Sequence, residues 1–264
     1  QAPVHQLGLD LWRDVVVRRP SIGPRARAVA LAAVDAERGG AVIDRALLRS
    51  FSTMLADLGR GVYAADFELH YLDETAAYYA REAARAMREL RPPQYLSMAE
   101  ERLQAEAERV ANYLDAATAA PATAAVEREL LGRHAAAIIS AEDGGAVALM
   151  ERDALGDLAR MYRLLGRVEG GHDLLRAAMG DHVRASGAAL VRSCSSSATS
   201  AAASASAASA PAASASASAA AASAAASVSA SASAEAPREP IAFVERLLSE
   251  KAKYDTIVAR SFAS

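Results

Sequence analysis

Val62-Tyr63-Ala64-Ala65-Asp66-Phe67-Glu68, then Tyr71-Leu72-Asp73-Glu74-Thr75, and at the end of a strongly helical run Glu108-Arg109-Val110-Ala111-Asn112-Tyr113-Leu114-Asp115, form the stretch that decides the fold. Its distinctive residues recur at helical spacing over consecutive segments. Catalytic motifs instead gather His, Cys or acids around a glycine turn. Working outward, Ala, Leu, Arg and Glu dominate and no period-2 run of β-branched residues interrupts them, which predicts an all-α chain.

The punctuation between helices is legible residue by residue. Val4, Leu7, Leu11 and Val15 make an apolar stripe on a helix that starts at or before residue 1 and that Pro20 and Gly23-Pro24 terminate. Arg25 to Arg38 follows, with Val29, Ala32 and Ala33 predicted inside, and Gly39-Gly40 supplies a C-cap. Asp44 is the N-cap of a helix presenting Leu47, Leu48, Phe51, Met54, Leu55 and Leu58, which Gly59 and Gly61 end. Asp66 to Leu90 reads as the longest helix, with Phe67, Tyr71, Tyr78 and Met87 as its large contacts and Pro92-Pro93 as its stop. Ser97-Met98-Ala99-Glu100 fits a capping box, and Leu103, Ala107, Val110 and Leu114 share a face behind it. Thr123 to Ser140 places Val126, Leu130, His134 and Ile138 on a stripe. Two further helices are predicted near Asp153–Leu165 and His172–Arg184, separated by Gly170-Gly171.

From Ser193 to Ala234 the chain is almost only Ala and Ser. Without large apolar groups such a tract cannot offset its ordering entropy, so disorder is expected there, with a frayed Ala-rich helix as the other reading. Order is expected to resume at Pro237, where Ile241, Val244, Leu247, Leu248 and Tyr254 make a final amphipathic helix. Each helix buries one stripe, so all must pack laterally, and short turns make antiparallel neighbours the expectation.

Composition narrows the function. Among 264 residues, 29 basic and 32 acidic side chains are interspersed for a net charge of −3. No basic field is available to neutralise a phosphate backbone, so nucleic acid is not an expected partner. No window is apolar enough to span a bilayer, and no membrane partner is expected. The single cysteine, Cys194, forms no internal disulfide and fits the cytosol or nucleus.

Candidate chemistry is sparse. His5, His70, His134, His172 and His182 follow no ligand spacing, so no metal site is assigned. His134 reads as a packing residue of its helix and His182 as a surface residue. Neighbouring acids such as Asp73-Glu74 and Glu100-Glu101 point about 100° apart on a helix and read as solvated faces. Glu127, Arg128 and Glu129 are expected to pair with residues a turn away, in solvent. The glycines at 59–61, 144–145 and 170–171 read as helix ends, and Tyr78-Tyr79 and Tyr113 as packing residues. No catalytic or cofactor-binding residue and no cofactor is assigned.

Together with Val126-Glu127-Arg128-Glu129-Leu130-Leu131 and Asp157-Leu158-Ala159-Arg160-Met161-Tyr162, the opening stretch resembles the second repeat of the cullin family, the stalks of multisubunit RING-type ubiquitin ligases. Leu7-Gly8-Leu9-Asp10-Leu11-Trp12-Arg13-Asp14 is similar to the last helix of the first repeat. Glu37-Arg38-Gly39-Gly40-Ala41-Val42-Ile43-Asp44-Arg45 is similar to the family's Glu-Arg-x-Gly-Glu-x-Val-Asp-Arg turn, with Ala41 in place of its glutamate. Asp157 to Leu164, Arg167-Val168, Gly187 to Val191, and Pro240 to Leu248 with Lys253-Tyr254-Asp255 resemble the third repeat. Each match is weak singly; their collinear order makes the resemblance specific.

The resemblance implies an elongated array of antiparallel helices built on five-helix cullin repeats. It divides the chain into 1–19, the last helix of repeat one; 20–143, repeat two; 144–192, the start of repeat three; 193–236, an Ala/Ser insertion; and 237–264, a further repeat-three helix. It implies a non-catalytic stalk that holds a substrate adaptor at a set distance from the RING end. Glu142-Asp143-Gly144-Gly145, the Leu11-Trp12-Arg13-Asp14 opening and the tail from Pro240 resemble the subtype that recruits BTB-domain adaptors. Phe67-Glu68-Leu69, Leu72-Asp73-Glu74-Thr75 and Leu130-Leu131-Gly132-Arg133-His134 resemble the subtype that binds a β-propeller adaptor, the runner-up. In the family, adaptor contacts come chiefly from helices that would precede Gln1, so no adaptor-binding residue is assigned. The RING-binding half would follow Ser264, and this segment by itself is not expected to hold a RING subunit. A free-standing tethering protein, favoured by a contiguous apolar patch outside the core, and a helical-bundle enzyme are the alternatives.

Overall fold

The computed structural model of the chain describes residues 4–207 and 239–262, with side chains described for 4–192 and 244–262. All regular structure among these residues is helical. Packing divides the chain into two compact units, Gln1–Met179 and Gly180–Ser264.

Helix α1 covers Val4–Trp12 and runs into a π turn, Arg13–Val17. Its expected stripe exists, but Leu7, Leu11, Trp12 and Val15 are exposed and α1 buries no residue fully. The face turned to the core carries Leu9 and Val17 instead. Helix α2 spans Gly23–Arg38, beginning two residues before the expected start because Pro24 sits in the first turn, where its missing N–H is harmless. Its buried residues are Ala30, Val34, Glu37 and Arg38, while Val29 and Ala32 are exposed, so the helix is rotated about one residue from the sequence expectation. At its end Gly40 adopts φ 91°, and the Ala41 and Gly40 N–H groups donate to the Ala36 and Glu37 carbonyls at 2.9 Å each. Only glycine takes that left-handed position without strain.

Helix α3, Arg45–Asp57, starts where Asp44 caps the Leu47 N–H at 2.9 Å. Asp44→Ala should lower unfolding free energy by about 1 kcal/mol without changing the denaturant m-value, a shift readable in urea melts. Leu48, Leu55 and Leu58 are buried, but Leu47 is exposed. Helix α4, Arg60–Tyr63, passes through a π turn, Ala64–Glu68, into α5, Leu69–Glu89. Within this wider turn the adjacent residues Phe67 and Glu68 are both buried. In α5 Tyr71 and Tyr79 are fully buried, with Tyr78 half-buried.

Helix α6 spans Pro92–Tyr113. Pro92-Pro93 therefore opens this helix as well as ending α5, and Ser97 lies inside it instead of capping it. Its buried face runs Tyr95, Leu96, Ala99, Leu103, Glu106, Val110 and Tyr113, so Glu106 holds the place expected of Ala107, which is exposed. Glu82 of α5 pairs with Arg102 of α6, and Tyr79 with Glu106. As numbering falls in α5 it rises in α6, so the two helices are antiparallel.

The expected helix from Thr123 to Ser140 is broken in two. Helix α7, Ala119–Glu127, runs into a π turn, Arg128–Gly132, and α8, Ala135–Ser140, follows a turn at Arg133-His134. The π turn buries Glu129, Leu130 and Leu131 in succession. Helix α9, Ala146–Glu151, is too short to show in periodicity. Helix α10 is Leu155–Leu165 and α11 is Gly171–Ala207, longer than α5. Its backbone carries helix past Ser193 into the Ala/Ser tract; residues 208–238, which hold the rest of that tract, lie outside the described residues. Helix α12 spans Glu239–Ser261, with Ile257 buried and Val244, Leu247 and Leu248 exposed.

One core cluster joins Val34, Leu55, Val62, Tyr63, Phe67, Tyr71, Val110 and Tyr113 from α2 to α6. A further set of fully buried side chains, among them Tyr95, Leu96, Leu130, Ile138, Met150 and Met161, fills the packing of α5 to α10. Each large apolar side chain so buried contributes roughly 1.5–3 kcal/mol, which is how helices of marginal intrinsic stability hold together.

Candidate functional site

Three segments singled out in the sequence converge in space. Glu37 and Arg38 end α2, Tyr71 and Thr75 lie on α5, and Arg109 and Tyr113 lie on α6. At their meeting point sits Glu106. Its Oε1 accepts from Arg38 Nη2 and the Tyr71 hydroxyl, both at 2.5 Å, and its Oε2 accepts from the Tyr79 hydroxyl at 2.8 Å and Arg109 Nη1 at 2.9 Å. Arg38 also donates to Thr75 Oγ1 at 2.6 Å, and its guanidinium lies within 5.6 Å of the ring centroids of Tyr71, Tyr78 and Tyr79. Glu37 extends the network, accepting from Arg45 Nε at 2.6 Å and the Tyr113 hydroxyl at 2.7 Å, with Arg109 Nε 3.5 Å away.

The Arg38 and Glu106 side chains are each 2% exposed. Burial alone would raise the Glu106 pKa, but the Arg38 hydrogen bonds and charge, with the Tyr71 and Tyr79 donors, outweigh it and hold the carboxyl below its ordinary range. Burial likewise works against the Arg38 charge and is overcome by Glu106, leaving the guanidinium firmly protonated. Burial first, and the Glu106 charge second, push the Tyr71 and Tyr79 hydroxyls well above the normal phenol range. Both Glu106 oxygens are satisfied within the cluster, Arg109 Nε is buried with no hydrogen-bond partner, and Arg45 lies at the exposed end. The arrangement is a clamp across α2, α3, α5 and α6.

Smaller clamps repeat the design. Glu68 takes both carboxylate oxygens to Arg60 Nη2, at 2.8 and 2.7 Å, and accepts from Thr118 at 2.8 Å. Glu129 is buried and pairs with Arg133 at 2.8 Å and Arg128 at 3.1 Å, so it is not the solvated residue expected. Glu127 reaches Arg167 across helices at 3.3 Å. Glu100 joins α6 to α10 through Arg160 and Arg163, again not as a free solvated acid.

The histidines do not meet. His134 is half-buried near Tyr95, with ring centroids 6.4 Å apart, and desolvation followed by the Arg133 charge lowers its pKa. His172 stacks on Tyr162 at 4.1 Å, its Nε2 3.0 Å from the Tyr162 carbonyl at the end of α10. His182 is half-buried edge-on to Tyr254, a departure from the surface expectation. His5 and His70 are exposed, and of Cys194 only the helical backbone is described. Among the described residues no group of three or more His, Cys, Asp or Glu could hold a metal ion. Within the same residues no helix is long and apolar enough to cross a membrane.

What the first unit does present is apolar surface. A cleft of about 370 Å³ between α1, α2 and α3 is lined by Trp12, Val16, Ile22, Pro24, Phe51 and Met54. Asp66 borders it, and Asp66 Oδ2 is buried with no hydrogen-bond partner. Exposed Val29 and Leu47 line an adjoining groove that shares Ile22, Ala26 and Phe51 with the cleft. Sequence reasoning missed Glu106; the available signal was a charged residue recurring with Leu103, Val110 and Tyr113 at helical spacing.

Helices joined by polar clamps on buried carboxylates, with apolar surface offered outward, make a helical array of the repeat-solenoid class. The model of the cullin alpha solenoid domain matches residues 1–264. The chain belongs to the cullin family. It is 35% identical over 259 residues to Cullin-3B of Arabidopsis thaliana, covering 98% of this chain and 30% of that protein. Cullin-3A of the same plant is 34% identical over 261 residues, 99% of this chain and 30% of that protein. Human Cullin-4A is 37% identical over 188 residues, 71% of this chain and 24% of that protein. The chain thus spans about 30% of the length of the Cullin-3 relatives it matches.

Proposed function

We propose that this chain is a non-catalytic stalk segment of a cullin-RING ubiquitin ligase, with the repeat boundaries 19/20 and 143/144 read from its motifs. The observation that carries this reading is the family match along residues 1–264. The buried Glu106 clamp supplies its physical logic. A stiff segment holds a substrate adaptor and the RING end at a set separation, so transfer gains from effective concentration. The adaptor it serves carries a BTB domain; in support, the likeness to the two Cullin-3 relatives covers 98% and 99% of the chain, against 71% for Cullin-4A. Its place of work is the cytosol or nucleus, a reading supported by the single cysteine.

Affinity purification of the tagged chain tests this directly. Co-purification of a BTB-domain adaptor is the expected result. Recovery of a β-propeller adaptor instead would overturn the subtype, and recovery of neither after cross-linking would overturn adaptor engagement by this segment.

A second reading draws on the apolar cleft between α1, α2 and α3. A partner helix seating one or two large side chains there, with a donor for Asp66 Oδ2, would make the chain a tether in its own right. Substituting Met54→Glu, at the half-buried edge of the core, should abolish such an interaction while leaving adaptor recovery intact if the stalk reading holds.

A further inference from the structure

The apolar cleft between α1, α2 and α3 has a feature for which a stalk has no use. Trp12 of α1, Val16 of the following π turn, Ile22 and Pro24 at the start of α2, and Phe51 and Met54 of α3 wall a volume of about 370 Å³. Cavities of about 150 Å³ already hold benzene, and small-molecule sites begin near 300 Å³, so the space admits an aromatic body of two or three rings. Apolar walls alone would take such a body in any orientation. The orienting group is Asp66, in the π turn Ala64–Glu68. Its Oδ2 is buried and receives no hydrogen bond from the chain. Arg27, which also lines the cleft, gives its Nη1 to the Asp66 backbone carbonyl at 3.3 Å instead.

A buried carboxylate oxygen without a donor costs stability, which a ligand bringing one recovers. The torsion of the carboxylate is soft, so a modest tilt presents Oδ2 to the cleft. Charge at the cleft is already balanced, Arg18 against Asp14 at 3.6 Å and Arg27 beside Asp66, so the missing partner is a donor without charge. We propose that the cleft binds a neutral aromatic small molecule of two or three fused rings carrying one O–H or N–H group. The donor sits on Asp66 Oδ2, and the rings pack against Trp12, Phe51 and the polarisable Met54 thioether. This site goes beyond the stalk reading and stands or falls without it. It gives to a small molecule the space that the tether reading gives to a partner's side chain.

Trp12 is the only tryptophan of the chain and stands in the wall of the cleft. The full chain grown with 5-fluorotryptophan therefore gives a single fluorine NMR signal that reports on the site. The probe is 2-naphthol; its comparator, 2-methoxynaphthalene, keeps the rings and lacks the donor. The expected result is a saturable shift of the signal with 2-naphthol and binding about tenfold weaker or more for the ether, the worth of a hydrogen bond to a charged acceptor. In Asp66→Ala the two compounds should bind alike, at the level of the ether. The melting temperature of that variant should stay level or rise, because an unsatisfied acceptor is gone. Val16→Phe, which fills the cleft, should lose both compounds. The alcohol-to-ether comparison on the unaltered chain needs no variant to fold. Equal affinity for the two there, or a preference that survives Asp66→Ala, would overturn the proposal, as would a shift that Val16→Phe leaves unchanged. A signal that ignores both compounds overturns it as well and leaves the cleft to the partner side chain of the tether reading.

Discussion

Replacing Glu106 by alanine should destabilise the chain by about 3–5 kcal/mol, because it leaves Arg38 as a buried charge without its counterion. For a unit of this size that corresponds to a melting temperature lowered by roughly 6–20 °C. The loss comes from stranded partners more than from the pair's own net worth. Arg38→Met/Glu106→Leu, which removes both charges, should therefore lose clearly less than the sum of the single substitutions in a double-mutant cycle. Urea unfolding followed by helical circular dichroism reads both. Additivity of the two substitutions would contradict the clamp. The acid limb carries the same signature. The folded-state pKa of Glu106 lies below its unfolded value, so its contribution is fully present above the unfolded pKa, about 4.3, and is lost as pH falls through the folded one.

On the alkaline side the expected effect is larger. Tyr71, Tyr79, Tyr95 and Tyr113 are buried, and their hydroxyls donate to Glu106, Glu106, the Leu130 carbonyl and Glu37. Burial first, then the nearby carboxylates, push all four pKa values up. Above about pH 10 the unfolded chain sheds these protons and the folded chain keeps them, so the unfolded state binds fewer protons and stability falls as pH rises. At about 1.4 kcal/mol per pH unit for each tyrosine, the four together give a slope near 5 kcal/mol per unit once the unfolded phenols are ionised. Tyrosinate absorbance should then show only part of the eight tyrosines titrating before a cooperative loss of helix, with the rest released in that transition. Titration of all eight near pH 10 with helicity intact would show that these hydroxyls are not sealed.

Such a network makes plain which parts of the molecule were readable in one dimension. The Asp44 cap and the Gly39-Gly40 end are local chemistry, decided by a side chain reaching three residues ahead and by one left-handed φ, and they appear where the sequence puts them. The collinear motifs were legible too, and three of them supply Glu37, Arg38, Tyr71, Thr75, Arg109 and Tyr113 to the clamp. That they share one carboxylate was not legible, because Glu106 lies 68 residues from Arg38 and 35 from Tyr71. Burial phase was a second blind spot. The π turns at Ala64–Glu68 and Arg128–Gly132 insert extra residues per turn, and extrapolating a 3.6-residue stripe across them assigns the wrong neighbours.

By itself, then, the sequence determined the all-α class, most helix ends and the family, since each of these depends on residue identity or on spacing within a few turns. The tertiary structure alone decided which stripe is buried. It showed that Leu7, Leu11 and Trp12 of α1 face outward, that Glu106 takes the place expected of Ala107, and that four tyrosine hydroxyls are sealed inside. The physical reason is that burial belongs to pairs of helices: a stripe becomes core only where another segment, distant in sequence, is present to cover it.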